Sequence, residues 1–281
     1  MATGVYTAYK KDNSKYYRVS LTHQNKHISL GSFDTYESAS AVYEEAIFIL
    51  REPFSKECSH YINSDDYTTS FASCHSELSF EKFIILMNLR NHGIYIKTPI
   101  YLCQKYFLYF LDKDTVLKFD IEDLFYYSSH KIMSRGGYFF VNDFGMQTSI
   151  LNRFGIRNHS VKGRDYIFRN GDEHDFRYAN IAVINRYNGV EQITQNGRIL
   201  YKTRIHINGN YIIGTYPSEN EAAIAYNRAV DLLLEKLPDL KNYPKNYIDG
   251  LSHIEYASIY NTIKISKKFR IYIEELSAAC N

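Results

Sequence analysis

Lys202, Arg204 and His206 stand at alternate positions between Tyr201, Thr203 and Ile205. In an extended chain successive side chains point to opposite faces, so the three basic groups share one face and the bulkier groups the other. A row of this kind holds an anion. An arginine so placed can grip guanine O6 and N7 with two bonds, which makes Arg18, Lys202 and Arg204 candidate base contacts, with Ser20, Thr22 and His206 beside them. Lys10, Lys11, Lys15, Lys26, Arg186 and Arg198 are candidate phosphate contacts. A second basic stretch holds Arg153, Arg157, Lys162, Arg164 and Arg169 against Asp165 alone, a net of +4 between residues 152 and 170 that suits phosphates and needs no catalytic group. The acidic run Asp172-Glu173-His174-Asp175 is the one cluster with metal-ligand chemistry. Neighbours in sequence do not readily converge on a single ion, so no metal, cofactor or catalytic residue is expected there.

The elements that must position these groups follow from periodicity. Leu200 to His206 and Tyr211 to Tyr216 read as two strands around Asn208-Gly209, a hairpin signal because the favoured two-residue turn needs positive φ at both central positions. Ser218 with Glu221 forms a helix-capping pattern, and Ala222, Ala225, Tyr226, Ala229, Val230 and Leu233 recur at helical spacing. One helix then covers one sheet face and leaves the basic face bare.

The chain carries this unit twice. Residues 17–46 align with 201–229: Arg18 opposite Lys202, Leu21 opposite Ile205, Gly31 opposite Gly214, Phe33 opposite Tyr216, Tyr43 opposite Tyr226 and Ala46 opposite Ala229, with a hairpin turn one residue longer in the first copy. Charge is segregated in both. Residues 1–33 are net +4 and 34–57 net −4; residues 186–211 are net +3 and the helix 217–236 net −2. Each module is polarised with its sheet toward a polyanion, and nucleic acid is the obvious one.

At 281 residues, 45% apolar and 23% charged, the chain has room for two or three compact domains. The 27 tyrosines and absent tryptophan suit core and half-buried strand positions. Cys58, Cys74, Cys103 and Cys280 form no C-x-x-C pair, which argues against a zinc ribbon or disulfide framework and for reduced thiols. No apolar run is long enough to span a membrane and the N-terminal MATGVYTAYKK has no apolar stretch, so a soluble, cytoplasmic protein of a bacterial or phage-infected cell is expected.

Further strands are expected over Val5–Lys10, Lys15–Thr22, Lys26–Phe33, Ile94–Ile100, Tyr101–Leu111, Thr115–Asp120 and Tyr138–Asn142. Helices are expected from Thr35 to Arg51, from Ser76 or Ser79 to His92 with Gly93 as the stop, and from Ser252, capped with Glu255, to Ile263. Glu52–His75 and Leu237–Gly250 read as connectors, and Ile265–Glu275 as a last strand or helix.

Y-R-V-x-L, then K-x-I-x-L-G-x-F, then D-T-x-E-x-A-x-x-x-Y-x-x-A, spanning Tyr17 to Ala46, resembles the DNA-binding domain of plant APETALA and ethylene-response transcription factors. The resemblance implies a three-stranded antiparallel sheet lying in the major groove with one helix packed behind it. The tryptophans usual on that sheet are absent here.

Residues 101–184 resemble the HNH homing-endonuclease architecture often fused to such domains in phages and mobile elements. Glu122-Asp123, Gly137-Tyr138, Asn170, Gly171, Asp175, Arg177, Asn180 and Ile181 stand at that family's spacing. Phe168 occupies the position of its catalytic histidine, Ile167 the preceding acidic position and Phe176 that of its second asparagine, while Gln147-Thr148-Ser149 replaces its first histidine segment. Phenyl and alkyl groups can neither take a proton nor bind a hard metal, so the resemblance implies a retained fold without nuclease chemistry.

The expectation is therefore an α+β protein. Two small modules, each a three-stranded antiparallel sheet plus one helix (1–57 and 185–236), flank a degenerate HNH-like α+β domain (101–184), with a helical connector (58–100) and a C-terminal helical extension (237–281). The expected function is sequence-specific binding of double-stranded DNA as a regulator of a phage or mobile element. A second copy of the chain stays open as a partner, and no membrane is expected. Two other readings also stay open: an active HNH-type endonuclease with a metal site elsewhere, and an inhibitor that turns the basic sheets to an acidic protein.

Overall fold

A computed structural model describes residues 4–51, 77–240 and 243–280, without the side chains of residues 279 and 280. The connector 52–75, the boundary at 57/58, Cys58, Cys74, the alternative cap Ser76 and the side chain of Cys280 lie outside what is described. The protein is mixed α+β. The described residues form four three-stranded antiparallel sheets, one two-stranded sheet and six α-helices. They group into two compact units, Met1–Ile150 with Asp172–Asn180, and Leu151–Gly171 with Ile181–Asn281, a division that cuts across residues 101–184.

In the first unit β1 (Val5–Tyr9), β2 (Lys15–His23) and β3 (Lys26–Phe33) form a meander, and α1 (Tyr36–Arg51) packs on it. Thr35 Oγ1 accepts from Ser38 N at 3.2 Å and starts that helix. Val19, Leu21, Ile28 and Leu30 bury against Ala39, Val42, Ala46 and Ile49. The helix α2 (Phe80–His92) is capped by Ser79 and ends at Gly93 in the left-handed conformation, φ 68°. It covers the sheet of β4 (Ile100–Leu102), β5 (Tyr106–Phe110) and β6 (Val116–Asp120). The strand expected over 94–100 is absent up to Ile100, because that segment bonds to side chains and other backbone: Asn88 Nδ2 donates to Ile94 O at 2.8 Å and Thr98 Oγ1 to Tyr127 O at 2.8 Å. The strand expected over 101–111 is folded into β4 and β5 by a turn in which Cys103 N donates to Tyr106 O at 2.9 Å. A short helix α3 (Leu124–Ser129) leads to the sheet of β7 (Ile132–Arg135), β8 (Tyr138–Asp143) and β9 (Met146–Ser149).

In the second unit β10 (Tyr166–Phe168) pairs with β11 (Ile181–Val183). There follow β12 (Val190–Gln195), β13 (Arg198–His206) and β14 (Asn210–Tyr216), another meander, and α4 (Glu219–Lys236), capped by Ser218. The helices α5 (His253–Thr262), with a full Ser252–Glu255 capping box, and α6 (Lys267–Cys280) complete the unit. Ala222, Ala225, Tyr226, Ala229, Val230 and Leu233 are buried as their spacing requires.

The turn at Asn208-Gly209 is a correction. Asn210 pairs with His206, leaving three residues in the loop, and neither Asn208 nor Gly209 has positive φ. Two-residue turns with both central residues at positive φ lie instead elsewhere, among them Asn196 (φ 51°) and Gly197 (φ 72°) between β12 and β13, and Gln24 (φ 46°) and Asn25 (φ 61°) between β2 and β3. The hairpin turn of the first copy is therefore shorter than that of the second, not longer, and its additional residue is taken up in strand pairing. Ile265–Glu275, read as strand or helix, falls largely within α6.

The two meanders agree in irregularities as well as in order. The β2–β3 register slips between Val19 and Ser20, and the β13–β14 register between Thr203 and Arg204, which are aligned positions. The extra residue of each bulge, Leu30 or Ile213, is buried under the helix. Gly4 O accepts from Ser20 N at 3.0 Å, and Gly189 O from Arg204 N at 2.8 Å.

Candidate nucleic-acid interface

Strand parity decides which side chains share the face turned away from the helix. In the first meander Arg18 lies between Tyr6 and Ser32, with Ser20 opposite Ser29 and Thr22 opposite His27 on the same face, away from α1. Arg18, Thr22, Ser29, Ser32 and Tyr6 are exposed, and no carboxylate stands at these positions. Lys15 and Lys26 have the opposite parity and sit at strand ends, Lys15 with its ammonium 4.9 Å over the Tyr17 ring, whose hydroxyl raises the Lys15 pKa. Lys10 lies 3.5 Å from Asp34, and Lys11 is exposed in the turn after β1.

In the second meander Glu191 faces Lys202, which faces Thr215, and Arg204 and His206 continue the row. The row is not free. Arg204 Nη2 lies 3.1 Å from Glu191 Oε2, with both side chains mostly covered, and His206 Nδ1 lies 3.2 Å from Asn210 Oδ1. Arg198 is exposed at the start of β13. Arg186 is tied to Glu219 on α4 at 2.9 Å, a pairing that raises its pKa.

The basic stretch 152–170 belongs to the same unit as the second meander. Arg153 lies in a 3-10 helix, Ile150–Phe154, and Lys162 and Arg169 are exposed. Arg164 grips Asp165 with two bonds, Nε to Oδ1 at 3.0 Å and Nη2 to Oδ2 at 2.6 Å. Burial alone would push the Asp165 carboxyl up; the bonds from Arg164, Val161 N and Asn185 hold it below its ordinary value instead. Arg157 is half-buried, and burial pushes its guanidinium down. Arg157, Arg164, Arg204 and His206, remote in sequence, line one open groove of about 1530 Å³.

The residues that resemble the HNH pattern are mostly structural in placement. Asp175 is fully buried and accepts from Arg177 Nε at 2.8 Å and Nη2 at 2.6 Å. Burial acts to raise its pKa, but Arg177 outweighs it and the net shift is downward. Asn180 Nδ2 donates to Asp175 O at 2.8 Å, and Phe176 stacks on Phe119 at 5.5 Å. Phe168 lies in β10, and residues 147–149 lie in β9. Asp172 Oδ1 accepts from His174 N at 2.9 Å. Among the described residues no three His, Cys, Asp or Glu side chains are grouped so as to hold a metal ion, and no helix is long and apolar enough to cross a membrane.

Sequence reasoning passed over Tyr6, Glu191 and Asn246. The first two follow from cross-strand register once β1 and β12 are placed. Asn246, the partner of Arg157, is 89 residues away and has no local signal. No protein-family model, curated protein or solved structure matches the chain.

Proposed function

We propose that the protein binds double-stranded DNA sequence-specifically, through the outward faces of its two helix-backed meanders, and acts as a regulator of a phage or mobile element in the cytoplasm. The observation that carries this reading is the face of β1–β3. Arg18 stands there exposed among hydroxyl and aromatic side chains, and among the described residues no carboxylate occupies a strand position of that face. Hydroxyls and an arginine on a twisted antiparallel sheet match the donor and acceptor edges of the major groove. Resemblance to the APETALA and ethylene-response domain supports the same docking. The second meander adds Lys202 and Arg204, and two modules on one chain raise affinity through effective concentration.

Arg204 enters base readout only by exchanging Glu191 for a base edge, so Arg18 is the stronger base contact and Lys202 its partner in the second copy. The segment resembling an HNH nuclease serves as structure, because Phe168 and Ile167 offer neither a base nor a ligand. Fluorescence anisotropy with duplex DNA across a salt series tests the proposal. Saturable binding that weakens steeply as salt rises is expected; absence of binding at low salt contradicts it. Incubation with supercoiled plasmid and Mg²⁺ or Mn²⁺ tests the inactive core, with intact plasmid as the expected product.

A further inference from the structure

Among the described residues, Arg157 is the one arginine lining the large groove of the second unit that has no carboxylate opposite it. Arg164 is neutralised by Asp165, whose oxygens also accept from Val161 N at 2.7 Å and Asn185 Nδ2 at 3.0 Å. Arg204 is neutralised by Glu191. Among the described residues the Arg157 guanidinium makes a single hydrogen bond, from Nη1 to Asn246 Oδ1 at 3.0 Å.

That bond is itself built with care. Asn246 is 5% exposed, and its Oδ1 also accepts from Asn188 N at 2.7 Å while its Nδ2 donates to Asn188 O at 3.1 Å. Its backbone N donates to Asn227 Oδ1 at 2.6 Å, and Asn227 Nδ2 donates to Asn246 O at 2.9 Å and Tyr256 OH at 3.0 Å. A buried asparagine, fixed by Asn188 and Asn227, therefore holds one nitrogen of a half-buried guanidinium and leaves the rest of its fork to the groove. Partial desolvation of a cation without a counter-ion is unfavourable, as the lowered Arg157 pKa reflects. An anion in the groove would remove that penalty.

We infer that the groove of the second unit is a phosphate-binding site, with the Arg157 fork as its anchor and His206 and Asn210 at its edge. A planar fork of N–H donors matches two phosphate oxygens. A free nucleotide and a DNA strand present the same group, and the groove adjoins the outward row of the second meander through Arg204 and His206.

The test titrates the wild-type 281-residue chain and its Arg157→Gln variant with dATP and, separately, with a duplex oligonucleotide. The site predicts that R157Q weakens at least one of the two by about tenfold or more, as loss of charge-assisted hydrogen bonds requires. Weakening of dATP binding assigns the groove to a nucleotide, and weakening confined to duplex assigns it to a backbone phosphate. Unchanged binding of both overturns the inference. Arg18→Ala run in parallel separates the two readings: duplex binding weakened in R18A, with duplex and dATP binding both kept in R157Q, leaves the DNA proposal standing and removes the groove. If R157Q does not fold, the Arg157 Nε–H resonance of wild type is followed during dATP and duplex titrations. A saturable shift with either ligand supports the site, and none with either overturns it.

Discussion

Gly189 passes directly beneath the ring of Tyr226, so close that a Cβ on it would fall well under 3.0 Å from the ring carbons and from Arg204 O. Gly4 stands in the same relation to Tyr43 and Ser20 O in the first meander. The close approach lets each glycine carbonyl accept the amide of the residue at the bulge, so one contact joins strand entry, bulge and helix in both copies. Gly189→Ala adds a clash with backbone to strain at φ 69° and is expected to destabilise by about 2–4 kcal/mol. Gly4→Ala acts through the clash alone and is expected to cost about 1–3 kcal/mol. Urea denaturation of both variants measures the difference.

Much of this frame was legible in the sequence, because it depends on local rules. The caps at Thr35, Ser79, Ser218 and Ser252 announce four of the six helices, and the alanine and tyrosine stripe of α4 announces its buried face. The alignment of Gly31 with Gly214 carried the repeat. What local rules could not supply was competition. Asn208-Gly209 and Asn196-Gly197 carry the same turn dipeptide, and only strand register selects the second. The segment 94–99 has strand composition but bonds to Asn88 and Tyr127. The groove joins residues near 157, 204 and 246, a meeting that no periodicity encodes.

Asp175 and Arg177 give a pH prediction. The folded Asp175 carboxyl titrates below its ordinary value of 3.8, so its contribution is present above that pH and is lost as pH falls through the lower folded value. Asp175→Asn is expected to flatten the loss of stability below about pH 4. Arg177→Ala removes two side-chain bonds from a buried carboxylate and is expected to cost about 3 kcal/mol at neutral pH, the low end for a broken buried pair because Arg177 is partly solvated. Thermal melts across pH 3–7 check both.

Arg18→Ala is expected to weaken binding to the preferred duplex by about 1–3 kcal/mol and to relax preference at one base pair. Lys11→Ala, in the turn, should weaken all duplexes alike and lower the salt slope by about 1. Anisotropy on matched and mismatched duplexes separates the two outcomes.

Glu191→Gln removes the carboxylate that occupies Arg204 and repels phosphate. It is expected to tighten duplex binding about fivefold at low salt, through electrostatic complementarity, with the gain shrinking as salt rises. The same substitution is expected to lower stability by about 1 kcal/mol, since the pair is only partly buried.

The central claim is that two outward sheet faces read duplex DNA, and selection of bound sequences from a random duplex pool tests it most directly. The account predicts enrichment of a bipartite site, with one half losing its base preference in Arg18→Ala and the other in Lys202→Ala. A pool that emerges from selection without an enriched sequence, or a site that neither substitution alters, would contradict it.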